Sequence, residues 1–150
     1  MGKGHDFEKQ VASWTSRQGF NTMLNELVRG KISKRAYEVD VHAWIFIKRI
    51  LRKNKRVDAW IECKNLKTSV KRMHVNSLIR KAQDLREGWE EGFEEWYADI
   101  LMIFSTSGFD IDAIRIANEH DIYLVNVDRK YDFVGNMTRE GFNELIVSRY

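Results

Sequence analysis

Three charged residues in strand-forming sequence carry the strongest chemical signal. Asp40 sits in Tyr37-Glu38-Val39-Asp40-Val41, and Glu62 and Lys64 sit in Trp60-Ile61-Glu62-Cys63-Lys64. In a strand, residues two apart share a face. Asp58, Trp60, Glu62 and Lys64 are therefore expected on one face, with Ala59, Ile61 and Cys63 on the other. By the same rule Glu38, Asp40 and His42 point together. A carboxylate between Val39 and Val41 needs a partner, and two carboxylates a few ångströms apart are costly without a cation between them. Magnesium takes hard oxygen ligands and keeps several waters, so it suits Asp40 and Glu62. There it would polarise a phosphodiester and acidify a water, while Lys64 orients that water or neutralises charge developing at phosphorus. The plainer reading of Glu-x-Lys is an ion pair on a solvated strand face. The triplet alone does not choose between the two.

The elements that must position these residues follow from periodicity. Phe7, Val11, Trp14 and Thr15 fall at helical spacing, which predicts a helix over 5–18 with Asp6 as cap and Gly19 as stop. Residues 20–31 read as a strand of mixed character, and 35–48, rich in β-branched and aromatic residues, as a long strand. Arg52-Lys53-Asn54-Lys55 reads as a polar turn and 57–64 as the returning strand. A turn placed there sets Asp40 opposite roughly Lys67 unless a bulge or a bend intervenes, and a bulge would bring Glu62 closer. Val75, Leu78, Ile79, Ala82, Leu85, Trp89, Phe93 and Trp96 predict a helical region over 70–97, with a break at Gly88 or Gly92. An apolar strand over 100–105, a helix over 109–119 and a second apolar strand over 122–127 make a parallel βαβ unit. A last helix is expected over 138–148. The sum is an α/β sandwich around a mixed sheet.

Composition narrows the partner. The 150 residues, 43% hydrophobic and 31% charged, suit one globular domain over 1–150. No apolar run reaches the roughly 18 residues that would span a bilayer, and the first residues lack a signal core. One cysteine, Cys63, excludes an internal disulfide framework and suits a reducing, cytoplasmic setting. Net charge is only +3, but Lys48, Arg49, Arg52, Lys53, Lys55 and Arg56 crowd together, and Glu87, Glu90, Glu91, Glu94 and Glu95 form an acidic block. That asymmetry suits a polyanion on one side of the molecule, or simply solvated element faces. His5, His74 and His120 lack zinc-ligand spacing.

Four segments in order resemble the PD-(D/E)xK nuclease superfamily, and within it Mrr-type restriction endonucleases, with archaeal Holliday junction resolvases as relatives. They are Gly4-His5-Asp6-Phe7-Glu8-Lys9-Gln10-Val11 with Gln18-Gly19-Phe20; Tyr37-Glu38-Val39-Asp40-Val41; Trp60-Ile61-Glu62-Cys63-Lys64-Asn65; and Phe104-Ser105-Thr106-Ser107-Gly108-Phe109 followed by Asp112-Ala113-Ile114, Ala117 and Ile122-Tyr123-Leu124. The motif-bearing core runs from about 4 to 127. Val39 stands where the superfamily's name has proline, and Glu62 where Mrr-type members often have glutamine. The resemblance implies a restriction-endonuclease-like mixed β-sheet flanked by helices. It implies a magnesium-dependent endodeoxyribonuclease, with manganese as a substitute ion and DNA as partner, working as a homodimer. It assigns catalysis to Asp40, Glu62 and Lys64 and adds Glu8 to Asp40 and Glu62 as a metal residue. A polar residue reaches the metal site from a helix in some members, and Gln83 is the candidate here.

Lys67, Lys71 and Arg72 are the expected phosphate-binding residues. The loop 105–108 could take a phosphate at the following helix N-terminus, although a plain loop and cap is the simpler reading. No separate DNA-recognition segment is visible, which leaves sequence-specific restriction unsupported. Two alternatives stay open: a structure-specific resolvase, and a nucleic-acid-binding module that keeps the fold without chemistry.

Overall fold

The computed structural model describes residues 3–32, 36–49 and 52–147. In chain order the elements are α1 (Lys3–Arg17), β1 (Asn21–Arg29), β2 (Ala36–Arg49), β3 (Arg52–Lys64), α2 (Arg72–Glu90), β4 (Ile100–Ser105), α3 (Ile111–Glu119), β5 (Tyr123–Val127), β6 (Tyr131–Val134) and α4 (Arg139–Val147). The strands form one sheet in the order β1-β2-β3-β4-β5-β6. β3, β4 and β5 run parallel, and the other neighbours are antiparallel. This is the expected mixed sheet flanked by helices.

Each face of the sheet has its own core. Phe7, Val11 and Trp14 of α1 and Phe142 and Ile146 of α4 pack with Val41, Ile61, Met102 and Val125. Val75, Leu78 and Leu85 of α2 and Ala113 and Ala117 of α3 pack with Val39, Trp60, Ile103 and Leu124. The stripe of α1 and that of α2 from Val75 to Leu85 meet the sheet as read from sequence, whereas Trp89 and Phe93, expected in the same stripe, are exposed. Each large side chain buried this way contributes about 1.5–3 kcal/mol of transfer energy, so the two layers fix where the helices sit.

Several boundaries differ from expectation. Asp6 lies inside α1 rather than capping it. Gly19, at φ 104°, closes that helix as expected. Residues 52–55 belong to β3 and are not a turn. Ile47 faces Lys55 and Arg49 faces Arg52, with a register shift between these pairs. The helical region read over 70–97 breaks at Gly92, one of the two glycines expected to interrupt it, and does not resume as a helix. α2 ends at Glu90, and Gly92 follows at φ 83°, a left-handed conformation that suits glycine. Trp96 is still buried, but from an irregular segment. The short strand β6 was not foreseen; its four residues are too few for alternation to register.

Candidate active site

The hairpin register brings the two carboxylate strands together, and the register shift of the hairpin lies beyond them, between Ile47 and Arg49. β2 and β3 pair as Val41 with Ile61, His42 with Trp60 and Ala43 with Ala59, which makes Asp40 and Glu62 the next positions in register. The expected offset toward Lys67 came from placing the turn too late along the chain.

What departs from regular alternation is Asp40 itself. Val39 packs in the α2 and α3 core and Val41, two residues on, in the α1 and α4 core. A regular strand would put both on one face. β1 breaks phase at the matching place. Leu24 packs toward α1, while Glu26 accepts from the indole of Trp96 in the opposite core, and Asn25 between them has φ 53°. The ladder keeps Leu24 with Val41 and Glu26 with Val39 and skips the pair between. Asp40 is thereby released from the sheet's rhythm and turns its carboxylate to the end of β3, where Oδ2 accepts from the Cys63 N–H at 2.8 Å.

That end of the sheet faces α1. Glu8 lies one turn before the buried Ala12, beside the buried Phe7, so packing of the helix carries it to the strand ends. Ligand oxygens of Glu8, Glu38 and Asp40 all lie within 4.8 Å of one another. The amide of Asn25 donates to Glu8 Oε2 at 2.6 Å and to Glu38 Oε1 at 2.7 Å. Glu62 lies outside this trio. It is buried, accepts from Trp60 Nε1 at 3.0 Å, and its other oxygen is 3.5 Å from Lys64 Nζ. The electrostatics nevertheless join them. Burial, then the charge of Glu62 and that of Glu8, lift the Asp40 carboxyl to about 7, against the Cys63 N–H and Lys64, which lower it. The Cys63 thiol is pushed up by burial and by the same carboxylates. Cys63 does pack against the core, as expected, but its peptide N–H belongs to the acidic cluster.

The remaining candidates separate. His42 does not share the Asp40 face. It stacks on Trp96 with ring centroids 3.6 Å apart and lies between Glu26 Oε2 at 2.5 Å and Asp58 Oδ1 at 2.8 Å. The phase break before it is the reason. Gln83 lines a hollow of about 440 Å³ with Tyr37, Arg80 and Asp84, which contains none of the acidic trio. Lys67, Lys71 and Arg72 are exposed on the segment leading from β3 into α2, and none enters an ion pair among the described residues. The loop 105–108 spends its hydroxyls internally: Ser105 on the Gly108 carbonyl at 3.0 Å, Thr106 on Asn65 at 2.8 Å and Ser107 on the Thr68 carbonyl at 2.7 Å. Asp110 caps α3 by accepting from the Ala113 N–H at 2.9 Å, so the plain loop-and-cap reading holds.

Residues 2–132 match the Mrr catalytic-domain family, described as restriction endonuclease. The chain belongs to that restriction endonuclease family. No curated protein matches it. Among solved structures it is similar to a crystal structure of a protein of unknown function, AF1548, at 23% identity and a TM-score of 0.59. The match covers 80% of this chain and 56% of that one, so this chain spans little more than half of its neighbour's length. At that identity the likeness concerns the fold. Restriction endonuclease families typically use a divalent metal. The oxygen-only donor set fits a hard divalent cation.

Sequence reasoning singled out Glu8, Asp40, Glu62 and Lys64 but gave no role to Glu38 or Asn25. Glu38 carried a signal, since it stands two residues from Asp40 on the same strand. Asn25 carried none, because its part depends on a left-handed backbone that nothing in residues 20–31 announces.

Proposed function

We propose that this chain is a metal-dependent endonuclease that hydrolyses DNA phosphodiesters, with magnesium as its ion and manganese as a substitute. The observation that supports this most is the convergence of Glu8, Glu38 and Asp40 oxygens within 4.8 Å, beside the Glu62–Lys64 pair in register with Asp40. Asp40, Glu62 and Glu8 would hold the ion. A divalent ion there would supply Lewis acidity at a scissile phosphate and make water more acidic. Lys64 is half-buried and tethered to Glu62, so its ammonium is held in place to meet charge developing on phosphate oxygens. Trp60 fixes Glu62 from behind through its indole N–H, which limits the rotamers that carboxylate can adopt. Lys67, Lys71 and Arg72 would hold flanking phosphates. A homodimer would present two such sites to two strands, and we read residues 1–150 as one nuclease domain working in the cytoplasm.

The test is cleavage by purified protein of plasmid, linear duplex, single strand and four-way junction in parallel, with magnesium, manganese or a chelator. We expect cutting of duplex with either metal and none with the chelator. Asp40→Ala and Lys64→Ala should lose it while staying folded, and undiminished cutting by those variants would overturn the assignment. Marked preference for the junction would make the protein a resolvase. Metal and DNA binding without cutting of any substrate would leave a binding module.

A further inference from the structure

Among the described residues, Asn25 is the neutral side chain that reaches into the acidic trio. A primary amide nitrogen carries two hydrogens, and here one goes to Glu8 at 2.6 Å and the other to Glu38 at 2.7 Å. The two carboxylates arrive from different elements, α1 and β2, and Asn25 arrives from β1. Each carboxylate has one oxygen on Asn25, which leaves its other oxygen to turn toward Asp40 or a cation. Asn25 stands at φ 53°, a region that asparagine enters more readily than most residues. That conformation coincides with the skipped ladder pair that frees Asp40. Like charges this close repel, and a bridging donor opposes their separation. A lysine in the same place would oppose it too, but would also compete with a metal ion. An amide does not.

We infer that Asn25 is a positioning residue for the metal, tying Glu8 to Glu38 so that the trio stays convergent before an ion arrives. The inference rests on the functional reading above.

Two variants test it. Asn25→Gly tolerates the left-handed backbone and removes the side chain that carries the amide. Asn25→Asp keeps the shape and replaces a donor with a negative acceptor. Manganese affinity is measured by calorimetry on metal-free protein, cleavage is titrated with manganese, and thermal midpoints are taken with and without the ion. Asn25→Gly should bind manganese about 10–100-fold more weakly, the usual loss when an outer-shell partner of a metal ligand is removed. Its cleavage should recover as manganese is raised. Asn25→Asp should melt below wild type without metal and regain the difference with it. Wild-type affinity in Asn25→Gly, or a midpoint loss in Asn25→Asp that manganese leaves untouched, overturns the inference. If wild type takes up no manganese, the inference and the functional reading fall together. If Asp40→Ala abolishes uptake while Asn25→Gly does not weaken it, Asn25 alone is misassigned.

Discussion

Burial and the neighbouring charges of Glu62 and Glu8 lift the Asp40 carboxyl from its ordinary 3.8 to about 7, with Cys63 and Lys64 pulling the other way. The folded protein therefore keeps a proton that the unfolded chain has released across that interval, so metal-free stability falls as pH rises from about 4 to about 7. His42 adds the same sign. Burial works against its charged form, but Asp58 and Glu26 outweigh that and raise it above 6.5. Its stabilisation is full below 6.5 and fades as pH climbs through the folded value. In a chelator, the thermal midpoint should thus drop between about pH 5 and about pH 8, and manganese should restore much of it at the upper end and little at the lower. Asp40→Asn should flatten its share of the slope, lose the manganese response and cut cleavage by at least about 10³-fold. Lys64→Ala should cost about 10²–10³-fold in rate with little change in the metal-free midpoint. A metal-free midpoint that rises toward alkaline pH would contradict the placement of both groups. Asp40, Glu62 and Lys64 stood out as candidates in the sequence through residue type and strand spacing, and the fold brings Glu62 and Lys64 beside the end of β3 where the Asp40 carboxylate turns. His42 was misplaced because that spacing was assumed to continue through Asp40, where Asn25 and Asp40 break it together.

Elements decide how close those groups come, and here register mattered more than boundary. Reading 52–55 as a turn moved Asp40 away from Glu62, although both strands were correctly found. Turn polarity is a weak guide when basic residues continue along a strand, as Lys55 and Arg56 do. α2 shows the other limit. Its stripe continues apolar through Phe93 and Trp96, so period alone could not end it, and Gly92 at φ 83° does. The body of that helix is tied to the first strands by Asp84. Its carboxylate accepts from the Ile32 N–H at 2.7 Å and from the Tyr37 hydroxyl at 2.5 Å, and its carbonyl accepts from the Lys31 N–H at 3.2 Å. Gly30 makes this approach possible, because a Cβ there would lie 2.1 Å from Asp84 Oδ2. Gly30→Ala should therefore destabilise by about 1–3 kcal/mol, the usual cost of overpacking, read from urea unfolding. Manganese affinity should hold, since the bonds named for Asp84 run to Lys31, Ile32 and Tyr37 rather than to the acidic trio. Unaltered stability would mean that α2 is free to shift away from β1.

At the scale of the whole molecule, α2 sets out where a polyanion can lie. Its 19 residues span about 28 Å at the usual ~1.5 Å per residue. Lys67, Lys71 and Arg72 gather at its start, and Glu90 and Glu91 stand at its end. The helix dipole has the same sense, positive at the start. That start is electrically continuous with the candidate site: His74, in the first turn, is pushed below its ordinary value by desolvation and then by Lys64, with Lys71 adding to it. DNA laid across the proposed site would thus be drawn toward the beginning of α2 and repelled from its end. Replacing Lys67, Lys71 and Arg72 together with alanine should weaken duplex binding for all sequences alike. The slope of log affinity against log salt should shrink by about 2–3, near 0.9 for each phosphate that is no longer neutralised. Neutralising Glu90 and Glu91 as Gln should leave that slope in place, because no phosphate is held there. Anisotropy of a labelled duplex in chelator measures both without cutting. Equal slopes for the triple variant and wild type would mean that the DNA runs elsewhere.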